Sequence, residues 1–377
     1  MIGLYLHIPF CARKCAYCDF CSFPAGEETT ERYVAALVKE IALAGALHIG
    51  EALDTVFVGG GTPTLLAPRQ LFRVFEAVDK AFVRGERLEF TVEANPATVT
   101  AEHLQVFRDG GVTRVSLGLQ AAQNPLLRRL GRLHTFEAFL ETYRAVRNGG
   151  PWAVNVDLMY HLPGQTRQNW LDTLDQVTAL EPEHLSCYSL QLEEGTPLAE
   201  AVDRGRYRLT SDRNDRWMHH QAIDRLTALG YEHYEISNFA RPGHHCRHNL
   251  RYWLREPYLG LGLSAHSFDG RRRLSNPSDL EAYLRAVGED RLPAEVLETL
   301  TEEEACFEAA MLGLRLIDGL EEQGFLGGCP EGLAEAYRRA FEELTARKLL
   351  ERQGGRLRLT RLGMDLSNTV FSELMTL

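Results

Sequence analysis

Six short runs rich in β-branched, aromatic and leucine residues punctuate the first half of the chain, each followed by a longer stretch with helical spacing. They are LYLHI (4 to 8), TVFVG (55 to 59), LEFTVEA (88 to 94), RVSLGL (114 to 119), AVNVDLM (153 to 159) and LSCYSLQL (185 to 192). Between them lie amphipathic patterns such as TERYVAALVKEIALAGAL, with breaks at Gly149, Gly150 and Pro182. Strands alternating with helices in this way predict βα units on a parallel sheet. Six successive units predict an α/β fold, a barrel or a part-barrel left open on one side.

The second half is patterned differently. One long helix is expected over 211 to 229, followed by ISNFARPGHHCRHNLRYWLREPYLGLGLSAHSF, which has no clear period and reads as irregular. From about 290 a further module begins. Thr301 with Glu304 forms a capping box, a helix is expected over 331 to 347, and LLERQGGRLRLT reads as a hairpin turning at Gly354 and Gly355. The organisation expected is therefore a part-barrel over 1–230, an irregular extension over 231–290 and a small winged-helix-like α+β module over 291–377.

Composition narrows the function. An apolar content of 45% in 377 residues is ample for a buried core. The formal charge of −11, with nine Lys/Arg against fourteen Asp/Glu in 301–377, argues against a nucleic-acid partner, because phosphates require a basic surface. The start has no basic leader, and no stretch approaches the roughly 20 apolar residues that span a bilayer. A cytoplasmic location is expected, where thiols stay reduced and eight cysteines read as ligands, nucleophiles or fillers.

Four of those cysteines stand in CARKCAYCDFC, from Cys11 to Cys21, directly behind the first strand. A structural zinc site would need a second, separated pair of ligands. Ferredoxin-type runs have a tighter first gap, and a redox pair would use Cys15 and Cys18 alone. The other expected strand ends bring polar chemistry to the same rim: Gly59-Gly60-Gly61-Thr62-Pro63, Glu93, Gln120 and Asp157. Arg132 adds a planar fork suited to a carboxylate. Glycines free backbone N–H groups for a ligand, while Gln120 and Asp157 can hydrogen-bond hydroxyls.

Cys-x3-Cys-x2-Cys behind the first strand of a βα barrel resembles the signature of the radical S-adenosylmethionine (SAM) superfamily. The resemblance implies a four-iron four-sulfur cluster held by Cys11, Cys15 and Cys18, with the fourth iron left for SAM. By it Cys21 is not a ligand in the working state; it is a spare small residue, a temporary ligand or a redox-sensitive thiol. YLHIPFCARKCAYCDF, VGGGTPTLL, VEANP, SLGLQ and NVDLMYHLPGQT are similar to the oxygen-independent coproporphyrinogen III oxidase group. That similarity implies that Tyr5, Tyr17, Gly60, Gly61, Thr62, Glu93, Gln120, Arg132 and Asp157 line a SAM site.

Within the group, the true oxidase has its fourth cysteine two residues after the third and an extension ahead of the cluster loop. Here Cys21 follows Cys18 by three, and ten residues precede Cys11. The group's haem-chaperone branch carries His-Asn-x-x-Tyr-Trp, matched by His248, Asn249, Tyr252 and Trp253. The resemblance implies haem binding, with His248 as iron ligand, Tyr252 and Trp253 as walls of the macrocycle, and His244, His245 and Cys246 as further ligands. Read from composition alone the same stretch is a surface loop with a buried aromatic pair, or a zinc site on His244, Cys246 and His248. Implied partners are haem, a haem-accepting protein and an electron donor such as flavodoxin or ferredoxin. The alternative function is a radical oxidoreductase acting on a porphyrinogen.

Overall fold

The computed structural model describes residues 1–377. All six expected strands form: β1 (Ile2–Ile8), β2 (Ala52–Gly60), β3 (Val83–Ala94), β4 (Arg114–Gln120), β5 (Ala153–Tyr160) and β6 (His184–Ser189). They pair in parallel and in chain order, with Leu4 opposite Val56 and Leu117 opposite Val156. Because crossover helices cover the outer face, strands such as β1 and β4 are buried almost throughout and read as continuous apolar runs. The first helix, Glu27–Leu47, turns Tyr33, Val34, Leu37, Ile41 and Ala44 onto this sheet, the i, i+4, i+8 stripe of an amphipathic helix.

The stretch from 231 to 290, expected to be irregular, extends the sheet at both edges. Strands β7 (Glu232–Glu235) and β8 (Asn238–Ala240) add antiparallel beside β6. On the opposite edge β9 (Tyr258–Leu261) lies parallel to β1, followed by β10 (His266–Phe268) and β11 (Arg272–Ser275), and β12 (Glu295–Thr299), within the stretch expected to belong to the C-terminal module, completes the edge. The result is one twelve-stranded sheet whose ends, β7 and β12, do not pair. It is a (β/α)6 part-barrel, open on one side. Strands of three to five residues are too short to show a period of two, which is why the sequence pattern missed them.

Beyond residue 300 a second apolar core gathers Ala310, Leu314, Tyr337, Phe341, Leu344, Leu357 and Val370. The capping box forms as expected, with Thr301 N–H donating to Glu304 and Glu304 N–H to the Thr301 hydroxyl at 3.2 Å. Strands β13 (Leu320–Glu321), β14 (Leu350–Gln353) and β15 (Arg356–Leu359) make an antiparallel sheet. The β14–β15 turn uses Gly354 and Gly355 at φ +59° and +80°, the left-handed pair that a two-residue hairpin demands. Backbone bonds join this module to the β7 edge: Ile236 N–H to Arg315 and Ile317 N–H to Tyr234, each at 3.1 Å.

Candidate cofactor site

The carboxyl ends of β1 to β6 converge on one rim, and the cysteine loop lies across it. The loop's base is pinned by Phe23 N–H to Pro9 O at 2.9 Å and Cys11 N–H to Phe23 O at 3.1 Å. Its middle is held from below: Ala16 donates to Leu130 O, and Leu198 donates to Ala16 O. Ala16 and Tyr17 rest on a small apolar core of Leu126, Leu127, Leu130, Met159, Leu162 and Leu198. Cys11, Cys15, Cys18 and Cys21 are all half-buried free thiols. Burial pushes the Cys18 and Cys21 thiols up. No group of three or more His, Cys, Asp or Glu stands close enough to hold a single metal ion.

Around the thiols the expected rim residues come together. Cys11 Sγ lies 3.8 Å from the Thr62 hydroxyl, and Arg132 points Nη1 at Cys15 Sγ at 3.6 Å. Arg132 also donates to Gly118 O, yet its buried Nε has no partner. Gly61 N–H donates to Ile8 O at 2.7 Å and Thr62 N–H to Phe10 O at 2.8 Å, drawing the glycine turn against the loop. A methyl group on Gly61 would stand 2.5 Å from Phe10 O, so only glycine permits this approach. Gly60 has φ +108°.

Glu93 reaches from β3 to accept the Gly60 N–H at 3.1 Å. Burial, reinforced by the charge of Asp157, pushes its pKa up to about 8. Gln120 is held at φ +76°, where the pairing of β4 with β5 slips by one residue, and its buried Oε1 has no partner. Strain and an orphaned acceptor at the same residue mark a site prepared for a ligand. Asp157 accepts from Asn155 at 2.7 Å, Tyr188 at 2.7 Å and Ser116 at 3.2 Å. An unpartnered side-chain donor at Arg132, an orphaned acceptor at Gln120 and two carboxyls beside three thiols suit a cluster with an amino-acid-bearing ligand.

The sequence reading missed the residues that hold this rim in place. His7 donates its Nε2–H to the Cys21 carbonyl at 2.8 Å and accepts the Tyr5 hydroxyl at Nδ1 at 2.9 Å, tying β1 to the end of the cysteine loop. Burial lowers its pKa and keeps it neutral. Its ring fills the space beside Gly60, where a methyl group would meet it at 2.6 Å. Ser116, Asn155 and Tyr188 support Asp157 from three strands. The signal was present in the alternation, since His7 shares a strand face with Tyr5, and Asn155 with Asp157.

The His-Asn-x-x-Tyr-Trp segment is not at the rim. It forms a helix, Arg247–Trp253, capped by Glu89, which accepts the backbone N–H of Arg247 and His248. His248 is 1% exposed, stacked on Phe57, with Nδ1 bonded to Thr55 at 2.8 Å and Nε2 to Tyr252 at 2.9 Å. Burial lowers its pKa to about 3. The expectation of an available iron ligand is corrected here: both ring nitrogens are committed to the interior. Tyr252 turns inward to His248 and Tyr258, whereas Trp253 lies under the Arg315 guanidinium, so the two do not wall one surface.

The neighbouring candidates differ. Cys246 is buried against Glu89, its thiol pushed up to about 12 by that burial. His245 stacks on Tyr234 and bonds Glu232 at 2.7 Å. His244 is exposed, and its imidazole has no protein partner. The zinc reading of His244, Cys246 and His248 therefore finds no converging ligand set.

A model of the radical SAM superfamily matches residues 5–177, and one of the HemN C-terminal domain matches residues 300–366. The heme chaperone HemW of Bacillus subtilis (strain 168) is 32% identical over 372 residues, covering 98% of each chain. That of Lactococcus lactis subsp. lactis (strain IL1403) is 34% identical over 372 residues, covering 98% of this chain and 96% of its own. Among solved structures, coproporphyrinogen III oxidase (HemN) from Escherichia coli, a radical SAM enzyme, superposes with a TM-score of 0.84 at 25% identity, covering 100% of this chain and 90% of its own.

Proposed function

The chain belongs to the HemW heme chaperone family within the radical SAM superfamily, and on that premise we propose that it binds a four-iron four-sulfur cluster, SAM and haem, and delivers the haem to an acceptor protein. The observation that carries this reading is likeness to curated haem chaperones along nearly the whole chain. The gap between Cys18 and Cys21 agrees with it, being one residue longer than the oxidase resemblance requires.

In this reading Cys11, Cys15 and Cys18 hold the cluster, which supplies an open iron for SAM and an electron for its cleavage. Glu93 with the Gly60 and Gly61 turn receives the amino end of SAM. Arg132 offers its unpartnered Nε to the carboxylate, while Gln120 and Asp157 face the ribose hydroxyls. Tyr5 and Tyr17 wall the site, and Thr62 backs Cys11. His7 fixes the end of the cysteine loop. Haem is assigned to the face of the 241–253 segment, with exposed His244 as the iron ligand in place of His248.

The test is anaerobic reconstitution with iron and sulfide, followed by haem titration, transfer to an apo-haemoprotein and product analysis with coproporphyrinogen III. Haem uptake and transfer are expected, with no protoporphyrinogen IX formed. Porphyrinogen conversion in the presence of SAM and a reductant would replace the chaperone reading with the oxidoreductase one.

A further inference from the structure

We propose that Glu40 positions the cofactor rim from the first helix: its carboxylate holds the turn that ends β9 against the strand carrying the cysteine loop, and protonation loosens that hold. The proposal rests on the reading that the rim receives a cluster and SAM, and it adds a proton-dependent control of that site. β9 runs parallel to β1, with Leu261 opposite Leu6, so its carboxyl end reaches the same rim as β1 to β6. The turn that follows is strained. Gly262 has φ +101°, and Ser264, which carries a side chain, has φ +58°. Such a turn persists only where its surroundings over-determine it.

Glu40 supplies that constraint. It is 0% exposed and has no cationic partner, yet three donors converge on its carboxylate. Oε2 accepts the Gly262 N–H at 2.8 Å and the Tyr283 hydroxyl at 2.6 Å, and Oε1 accepts the Asn276 amide at 2.7 Å. The same amide donates to Gly262 O at 2.7 Å. On the same helix, the Tyr33 hydroxyl accepts Leu263 N–H at 3.1 Å and donates to His7 O. A methyl group on Gly262 would stand 2.6 Å from His7 O, so the turn and β1 are in direct contact. His7 holds the Tyr5 hydroxyl and the Cys21 carbonyl, and the Ser264 hydroxyl bonds the Cys21 thiol. Displacing the turn therefore moves residues of the rim.

The carboxyl is poised near neutrality. Burial pushes its pKa up to about 7, against the three hydrogen bonds, which favour the charged form. The titratable groups facing it are the hydroxyls of Tyr33 on its own helix and of Tyr283 on the helix Leu280–Gly288. β1 presents His7 beyond Tyr33, while the turn after β9 presents backbone and residue 276 an amide. Lys39 turns outward to Gly288 O and Asp290. When Glu40 is ionised its three bonds are charge-assisted, and a proton converts them to neutral bonds of roughly half the strength. Neither the Gly262 N–H nor the Asn276 amide nitrogen can reverse to accept that proton. The turn is held tightly above about pH 7 and loosely below it.

The experiment compares the full-length, reconstituted protein with Glu40→Gln, which keeps the shape of the protonated acid at every pH. SAM affinity is titrated from pH 6 to pH 8.5. Glu93 titrates in both proteins, so the ratio of their affinities isolates Glu40. At pH 8.5 Glu40→Gln should bind SAM roughly threefold to tenfold more weakly, the worth of one hydrogen bond, and the ratio should approach one at pH 6. Hydrogen exchange of peptides covering 259–266 should follow the same course, with protection in Glu40→Gln lower than wild type at pH 8.5 and equal to it at pH 6. Tyr283→Phe removes one donor to the carboxylate, so the midpoint of the protection profile should move to higher pH in that variant, which serves if Glu40→Gln does not fold. An affinity ratio that stays constant across the range, or a Tyr283→Phe profile with the wild-type midpoint, would overturn the proposal. Wild-type protein that takes up no iron overturns the cluster reading instead, and the exchange comparison on iron-free protein then decides the role of Glu40.

Discussion

Glu93 Oε2 accepts the Gly60 N–H over 3.1 Å, so the acid that ends β3 and the glycine turn that ends β2 form one unit across the rim. Gly59 makes the approach possible, because a methyl group there would stand 2.7 Å from the same oxygen. In the proposed reading this unit receives the ammonium group of SAM.

A pH dependence of stability follows. The folded carboxyl titrates at about 8, against roughly 4.3 in an unfolded chain. Between those values the unfolded chain has released a proton that the folded chain retains, so stability falls as pH rises. Glu93→Gln cannot release that proton. In cluster-free, SAM-free protein the melting temperature of Glu93→Gln relative to wild type should therefore rise from pH 5 to pH 8.5. An unchanged difference would mean that the carboxyl is ionised at neutral pH.

Gln120 offers a separation of stability from binding. Its buried Oε1 bonds nothing, and leaving such a group unsatisfied costs about 1 to 3 kcal/mol. Gln120→Met keeps the volume and removes the acceptor. Its unfolding free energy should equal or exceed that of wild type, while SAM affinity in the reconstituted protein drops about tenfold. Calorimetric titration beside chemical denaturation reads both, and a variant that is less stable with unchanged SAM affinity would make Gln120 structural.

The cysteine series separates ligand from neighbour. Ser at Cys11, Cys15 or Cys18 should abolish iron uptake. Cys21→Ser should retain it, because what Cys21 supplies to the loop is its backbone carbonyl, bonded to His7. Loss of the cluster in Cys21→Ser, measured as iron and sulfide per chain, would make Cys21 a fourth ligand.

How much of this was legible follows physical lines. Strands buried on both faces, such as β1 and β5, announce themselves as apolar runs, and motif residues at their carboxyl ends fall on the rim. What the chain does not announce is reach across elements. Glu89 capping the helix that begins at Arg247, or Thr55 bonding His248, joins residues more than 150 positions apart. His248 was misplaced for that reason: a polar residue in an unperiodic stretch reads as exposed, and only the barrel interior reveals two partners waiting for it.

That placement decides the last prediction. His248→Ala removes two buried hydrogen bonds and an aromatic stack on Phe57, leaving Thr55 and Tyr252 unsatisfied. A cost of about 2 to 4 kcal/mol in folding stability is expected from these losses together. Haem bound by the surviving folded protein should keep the wild-type Soret position if, as proposed, His244 rather than His248 ligates the iron. His244→Ala should do the opposite, leaving the unfolding transition within about 0.5 kcal/mol of wild type, as exposed substitutions do, while shifting the Soret band. A His248→Ala protein that folds normally but binds haem with an altered spectrum would return the iron to His248. The helix would then have to open on haem binding, breaking the bonds to Thr55 and Tyr252 in exchange for one to iron.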